Sequence, residues 1–508
     1  MHFIRTKIIH VFIASIVFLI PAIINGFPFL FFDSVEYLIV GDSIVSKLIG
    51  VPKVYNVTQV RESTKSAPNA AAPVSGNDQH MSLTYTGGRL YYSLYAFVTE
   101  KLVSFWGIAV IQSLPAAWLL WIIVRVTAPR SPLRDYYAIV VVLTAASALP
   151  FYVAFAMPDV FAGYGLLAIG LLLLAGDRVA LWERIVLVVL SAASMTAHLT
   201  NTLLVMLFVF ILAILQFWRR SFQTRSLAFG VAWVAAPLAL VLALGMIETV
   251  TTKAFVGASP RTLPFLMGRV LADGSGRLYL NDVCHPKPRF AACAFENRKF
   301  KTMEDFLFSS DPNTVAYNGA NFATRMRLKD EERTFVLGAI LRYPAIQLRA
   351  SLRHWFDQLR SFGLSQQFTL ARRSWEETAS VAIVPEAEMA YKRALAYRGL
   401  FPFEALDWIQ VTTVLAALGF LAYRLTQGDV LSAARRRGPA ASSDDQITVA
   451  LTASTLALVI VLVANAAICG ILSEVSDRYQ ARLIWLLPAS ALLVAFRLGA
   501  KPRNSTRA

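Results

Sequence analysis

Apolar residues in this chain do not alternate with polar ones. They come in nearly unbroken blocks of about 16 to 25 residues, the length that carries a helix across a bilayer. The blocks fall at 8–26, 103–126, 136–156, 159–175, 183–199, 201–217, 227–248, 406–425, 447–471 and 483–498. They predict an all-α polytopic membrane protein with ten transmembrane helices. Two stretches between blocks, 27–102 and 249–405, are too long to be connectors. The expected organisation is therefore an N-terminal transmembrane module over 1–248 that includes the first loop, a loop region over 249–405, and a C-terminal transmembrane module over 406–508.

The long stretches are not uniformly loop-like. SVEYLIVGDSIVSKLI, near the start of the first, and FVLGAILRYPAIQLRASLRHWFDQLRSF, in the second, each read as an amphipathic helix lying in the membrane interface. The middle of the first, STKSAPNAAAPVSGNDQ, is small, polar and interrupted by Pro and Gly, and is expected to be a mobile loop. LSAARRRGPAASSDDQ, between the eighth and ninth blocks, is expected to be a flexible linker.

Charge orients these elements. Arg5/Lys7, Arg125/Arg130/Arg134, Arg178/Arg184, Arg219/Arg220/Arg225, Arg435/Arg436/Arg437 and Lys501/Arg503/Arg507 stand at alternate ends of the blocks. With ten spans and both termini in the cytoplasm, all six groups fall on the cytoplasmic side, as the excess of positive charge in cytoplasmic loops requires. An odd number of spans breaks the agreement. Both long loops then face outward, and a bacterial inner membrane is the expected location. The first block follows Arg5 and Lys7 as in a signal peptide, but no small-x-small cleavage site precedes FPFLFF, so a retained helix is expected.

Composition supports this class. The chain has 508 residues, 56% of them hydrophobic and only 16% charged, too apolar for a soluble domain of this size. The net charge of +16 does not point to nucleic acid, because the basic residues cluster in short loops and no nucleic-acid module is visible. Of the three cysteines, Cys469 lies in an apolar block. Cys284 and Cys293, in CHPKPRFAAC, face the oxidising side and are expected to form a disulfide. Zinc with His285 is the alternative, but the spacing matches no common zinc site.

Unusual polar residues gather at the outer helix ends. Asp33 follows the first block, Asp159 opens the fourth, and His198 ends the fifth. Glu474, Asp477, Arg478 and Arg482 precede the tenth. Any one of them can simply mark a helix end. As a set they bring acids, a histidine and arginines to one face of the bilayer.

In this order along the chain, four segments resemble the GT-C superfamily, the integral-membrane glycosyltransferases that use lipid-phosphate-linked sugars. FDSVEYL resembles the first-loop motif, with Asp33 and Tyr37 in its places. GGRLYYSLYAFV, with Arg89 and Tyr92, resembles the segment leading into the next helix. AMPDVFAGYGLLAIGLLLL resembles the Pro-acid start of a short helix, and DRYQARLIWLLPASALLV the Arg-Tyr-then-Pro opening of a late one. The chain departs from the pattern in two places. Ser34 stands where many members have a second acid, which leaves open whether a divalent metal serves as cofactor. His198 stands where many carry another basic residue.

The resemblance implies an inverting hexosyl- or pentosyltransferase that moves sugar from a polyprenyl phosphate to a hydroxyl on a glycan, lipid or protein acceptor at the outer face. It selects Asp33 as general base, and the spacing adds Glu36 as a supporting catalytic contact. Tyr37, Arg89, Tyr92, Asp159, His198, Arg478, Tyr479 and Arg482 become the substrate-binding candidates. The chemistry suits these residue types. Phosphate is already a good leaving group, so the reaction needs a carboxylate to take the hydroxyl proton and guanidinium groups to grip phosphate. Membrane lipid and the lipid-borne sugar are the expected partners, and nucleic acid is not. A transporter or lipid flippase, or a polysaccharide polymerase or ligase, is the competing reading; the first would place charges at the bilayer midplane rather than at one edge. Gly41–Ile44, GDSI, imitates the SGNH esterase nucleophile block, with Asp282 and His285 at a matching spacing. It lies in a helical pattern without the strand-to-helix turn that chemistry needs.

The charge pattern makes a direct prediction. A cysteine placed at Ser66 should be labelled by an impermeant reagent from outside, and one at Ser442 should not. Labelling of both from outside would overturn the ten-span scheme.

Overall fold

The computed structural model describes residues 2–55, 90–128, 130–175, 178–218, 224–256, 262–309, 311, 313–368, 384–427 and 443–499. Among these residues there are helices and no strand. The first half contributes α1 (His2–Phe18), α2 (Ile20–Asn25), α3 (Phe32–Ile49), α4 (Leu90–Leu102), α5 (Phe105–Thr127), α6 (Pro132–Ala146), α7 (Leu149–Val153), α8 (Phe161–Ala175), α9 (Leu181–Ala197), α10 (Leu199–Trp218) and α11 (Thr224–Val256). The second half contributes α12 (Phe265–Asp273), α13 (Ser275–Val283), α14 (Met303–Phe308), α15 (Phe322–Arg342), α16 (Pro344–Arg360), α17 (Pro385–Arg393), α18 (Phe403–Thr426), α19 (Ser443–Leu472), α20 (Asp477–Ile484) and α21 (Leu486–Gly499).

Among the described residues, five helical stretches are long and apolar enough to cross a membrane. They are α5, Ala232–Ala254 of α11, α18, Ile447–Leu472 of α19, and Asp477–Leu498, which joins α20 to α21. Ile8–Phe18, Pro158–Leu173 and Leu199–Leu215 are apolar but shorter. The chain is an all-α membrane-embedded protein.

Several blocks that look continuous in sequence are broken in the fold. The block at 8–26 divides between α1 and α2, where Pro21 opens the second helix, and the block at 136–156 divides between α6 and α7, where Pro150 does the same. Proline lacks the N–H that would continue the ladder and crowds the preceding turn. FVLGAILRYPAIQLRASLRHWFDQLRSF is likewise two helices, because Pro344 ends α15 at Arg342 and starts α16. In the other direction, α11 runs past 248 to Val256 and α18 begins at Phe403, so helix extends into both ends of the stretch read as loop. The polar middle of the first loop and most of the linker before α19 lie outside the described residues.

The main core packs α1 on α5, α3 on α4, α8 on α9, α10 on α19 and α21 on both α18 and α19. Trp485, at the α20–α21 junction, is fully buried. A Cβ at Gly163 would stand 2.6 Å from its ring, so this glycine lets α8 and the indole meet. Another close approach brings α16 onto α19. There a Cβ at Gly470 would lie 2.6 Å from the His354 carbonyl oxygen.

Two short extended segments hold one end of the bundle together. Phe29 N–H donates to the Ala154 carbonyl and Ala156 N–H to the Phe29 carbonyl, both at 2.9 Å, an isolated parallel bridge. Around it Phe29, Phe151, Phe155, Phe368, Phe401 and Phe403 form one aromatic cluster with centroids 4.8 to 6.3 Å apart. Asn25 ties in the end of the second loop, accepting from Ala396 N–H at 2.7 Å while donating to the Phe27 carbonyl at 2.7 Å.

The second loop has its own hydrophobic core. Met267, Leu280, Phe290, Met303, Phe306 and Phe335 pack together in it, separate from the core of the bundle. Cys284 and Cys293 lie in that core and are bridged, with Cα atoms 5.4 Å apart. His285 instead faces Glu296 at 3.2 Å. Among the described residues no group of three or more His, Cys, Asp and Glu is arranged to hold a metal.

Candidate functional site

Three separated segments deliver charge to one point. Asp33 sits in the first turn of α3, where the helix dipole favours an acid. The Ser34 hydroxyl accepts from Phe31 N–H at 3.0 Å and sets that turn. Asp159 belongs to the 3-10 turn Pro158–Val160 that leads into α8. Arg478 and Arg482 are four residues apart on α20 and share a face. The Phe29–Phe155 bridge sets the backbone of the first two segments side by side.

Arg478 connects the acids. Its Nε donates to Asp159 Oδ1 at 2.8 Å, and its Nη1 stands 3.6 Å from Asp33 Oδ2. The guanidinium also lies 5.1 Å over the Phe31 ring. Arg482 Nη1 is 3.8 Å from the same Asp159 oxygen, and its Nη2 donates to Thr200 Oγ1 at 3.0 Å. Thr200 Oγ1 is in turn 2.7 Å from His198 Nδ1. Asp33 and Asp159 are only 8% and 2% exposed. Two carboxylates therefore meet two guanidinium groups, which is how a nearly buried charge is tolerated. Hydrogen bonding is incomplete: Asp159 Oδ2 and Arg482 Nε are buried without a partner among the described residues. A buried polar atom of this kind marks capacity for a ligand or water.

Tyrosines surround the cluster. Tyr37 packs edge-on to Tyr92 with centroids 4.8 Å apart, and Tyr92 Oη donates to Gln112 Oε1 at 3.1 Å. Gln112, completely buried, donates through Nε2 to the Val153 and Phe155 carbonyls at 3.1 and 2.7 Å. The Arg482 guanidinium lies 5.7 Å over the Tyr479 ring.

The candidates named from sequence thus mostly converge: Asp33, Asp159, Arg478, Arg482, Tyr479 and, through Thr200, His198. Tyr37 and Tyr92 stand as a buried pair. Glu36 lies on α3 as expected but is exposed, whereas Asp33 is buried. Arg89 lies outside the described residues. The GDSI imitation has structural duties instead. Asp42 accepts from Val54 and Tyr55 N–H at 3.1 and 2.8 Å, and Ser43 is buried within helix α3.

Sequence reasoning missed a second tier, supplied by the second loop. It clamps residues 473–477, the approach to Arg478. Gln358 makes a two-way contact with Ser476, accepting from its N–H at 2.9 Å and donating to its carbonyl at 2.7 Å. Arg269 donates to the Ser473 carbonyl at 3.0 Å and to Glu474 at 3.3 Å, and Glu474 also accepts from Met303 N–H at 3.0 Å. Behind Arg269 stands Asp273, held by Arg269 at 2.9 Å, His354 at 3.0 Å and Gln347 at 2.7 Å. Glutamine, arginine and aspartate in a polar loop give no periodic signal for such long-range bonds.

Two loop carboxylates are shifted in opposite directions. The Glu304 carboxyl is raised, first by the protein crowded around it and then by the negative charges of Glu474, Asp305 and Asp33. This places Glu304 within electrostatic reach of Asp33. Burial alone would raise Asp273. The hydrogen bond from His354, the Arg269 charge and the bond from Gln347 outweigh it, and Asp273 stays lowered. The stability carried by a lowered carboxyl is present above its unfolded value of about 3.9 and is lost as pH falls through and below it. Asp273→Asn should therefore cost about 1.5–3 kcal/mol at neutral pH, because it removes the nearer of the two carboxylates that Arg269 meets and leaves Glu474 at 3.3 Å. It should also flatten the loss of stability below about pH 4. Thermal melts in detergent from neutral pH to pH 3 read both effects, and an unchanged acid limb in the variant would refute the assignment.

No family model, curated protein or solved structure matches the chain.

Proposed function

We propose that this protein is a membrane glycosyltransferase of GT-C type, taking a sugar from a polyprenyl-phosphate donor to an acceptor hydroxyl at the outer membrane face. The observation that carries the reading is the Asp33–Arg478–Asp159 cluster, assembled from three distant segments at one edge of an apolar bundle. In this reading the donor phosphate docks on Arg478 and Arg482, whose planar guanidinium groups suit bidentate phosphate contacts. Phosphate competes with the carboxylates for Arg478 and loosens its hold on Asp33. Asp33 then takes the proton from the acceptor hydroxyl as that oxygen attacks the anomeric carbon. The carbon–oxygen bond to phosphate breaks, the lipid phosphate leaves with the bonding electrons, and the sugar is inverted. Asp159 keeps the arginines oriented, and its unpartnered Oδ2 is available to a sugar hydroxyl.

The same reading places ten spans in a bacterial inner membrane with both termini in the cytoplasm, following the basic clusters. The acceptor class stays a glycan, lipid or protein hydroxyl.

The test separates the two acids of the first loop. Asp33→Asn keeps size and hydrogen bonding while removing the charge. It should lower sugar transfer about 10²–10⁴-fold, the usual cost of losing a general base, with expression nearly unchanged. Glu36→Gln, at an exposed position, should retain measurable transfer. Mass spectrometry of cell-envelope glycans and lipid-linked sugars, in cells with no protein, wild type or either variant, provides the readout. Wild-type product levels with folded Asp33→Asn would sink the proposal, and loss only with Glu36→Gln would transfer the role of base to Glu36.

A further inference from the structure

Helices α5, α8, α10, α19 and α21 line a partly open groove that runs from Leu486, one helical turn beyond Arg482, towards Arg178 at the opposite end of the bundle. Its walls are apolar, with Leu120, Leu167, Phe208, Leu451, Leu458 and Leu493 among the lining residues. Two hydroxyls on the α19 wall are turned away from the space chemically. Ser454 donates to the Ala450 carbonyl and Thr455 to the Leu451 carbonyl, each at 2.8 Å. Polar character concentrates at one end, where Thr127 and the exposed Arg178 border the groove. Arg497 stands directly behind, buried, donating to the Thr127 carbonyl and to Thr448 Oγ1, both at 3.3 Å.

Basic residues outnumber acids in the segments at this end: Arg125, Arg130, Arg134, Arg178, Arg184 and Arg497 stand against Asp135, Glu183, Asp444 and Asp445. Two of the acids already face arginines, Asp135 meeting Arg134 at 2.8 Å and Glu183 meeting Arg125 at 2.8 Å. Three of the five walls belong to stretches long and apolar enough to cross a membrane, and the other two, α8 and α10, are apolar but shorter.

We propose that this groove is a binding site for one anionic glycerophospholipid, its acyl chains along the leucine-lined walls and its phosphate at Arg178, with Arg497 adding charge from behind. The cations answer the phosphate, and an apolar trough whose Ser454 and Thr455 hydroxyls are already bonded to their own helix fits a lipid better than a peptide, whose backbone would go unpaired there. The phosphate position at Arg178 lies past the opposite end of α8 from Asp159, and the proposal does not rest on the sugar-transfer reading.

The test uses the full-length protein in nanodiscs of equal phosphatidylglycerol and phosphatidylcholine, with retained lipid counted by native mass spectrometry after transfer to mild detergent. Wild type should retain phosphatidylglycerol over phosphatidylcholine by about tenfold, and Arg178→Gln should bring the ratio near parity. Ser454→Phe, which fills the groove, should lower retention of both lipids. If Ser454→Phe does not fold, the exposed Arg178→Gln variant decides alone. Equal retention of the two lipids by wild type, or an undiminished preference in Arg178→Gln, would overturn the proposal. So would preferential capture of added polyprenyl phosphate, or displacement of the lipid by glycerol phosphate, which lacks the chains.

Discussion

Arg478 is the group on which one end of this molecule turns. A guanidinium at the edge of an apolar bundle must have its charge answered, and the desolvation it suffers is several kcal/mol if it is not. Asp159 and Asp33 answer it from opposite sides, at 2.8 and 3.6 Å. Those acids belong to segments more than a hundred residues apart, and the arginine to a third near the end of the chain. Satisfying one charge therefore requires the first loop, the turn before α8 and the start of α20 to arrive together.

Much of the surrounding structure serves that meeting. The Phe29–Phe155 bridge and the phenylalanine cluster around it fix the first two segments to each other. Gly163 admits Trp485, whose indole N–H donates to the Arg482 carbonyl at 2.9 Å and so anchors α20 against α8. The second loop, a small disulfide-bridged core of its own, holds the backbone before Arg478 through Gln358 and Arg269. Rigid support from outside the cluster keeps a charged site within the tolerances that positioning of a phosphate or a proton requires. In the proposed reaction the arginines would then stay placed as the donor phosphate draws Arg478 from Asp33.

What could be read from sequence and what could not follow from different physics. The all-α membrane class, and the gathering of Asp33, Asp159, His198, Arg478 and Arg482 at one edge, were legible because bilayer-length blocks and alternating basic loops impose a strong, regular pattern. Helix breaks at Pro21, Pro150 and Pro344 were harder to weigh, since proline is tolerated in membrane helices when neighbours satisfy the freed carbonyls. The spacing of Asp33 and Glu36 suggested a shared face. On α3 they diverge by about 60°, as 3.6 residues per turn implies, and that is enough to bury one and expose the other. Gln112, Gln358 and Arg269 left no trace, because a side chain bonding a distant backbone has neither period nor motif. The bridge at Phe29 was equally silent, being a single pair of residues.

The central claim is that this cluster holds a lipid-linked phosphate through the planar fork of Arg478. Binding of sugar-free polyprenyl monophosphate to wild type and to Arg478→Lys, in the same detergent and with polyprenol as the phosphate-free control, tests it most directly. Lysine keeps the charge that Asp159 and Asp33 require but cannot reproduce the two-pronged contact. The account predicts phosphate-dependent binding that weakens about tenfold or more in the folded variant, with the weak binding of polyprenol unchanged. Equal affinity of the two proteins, or equal binding of polyprenol and its phosphate, would contradict it.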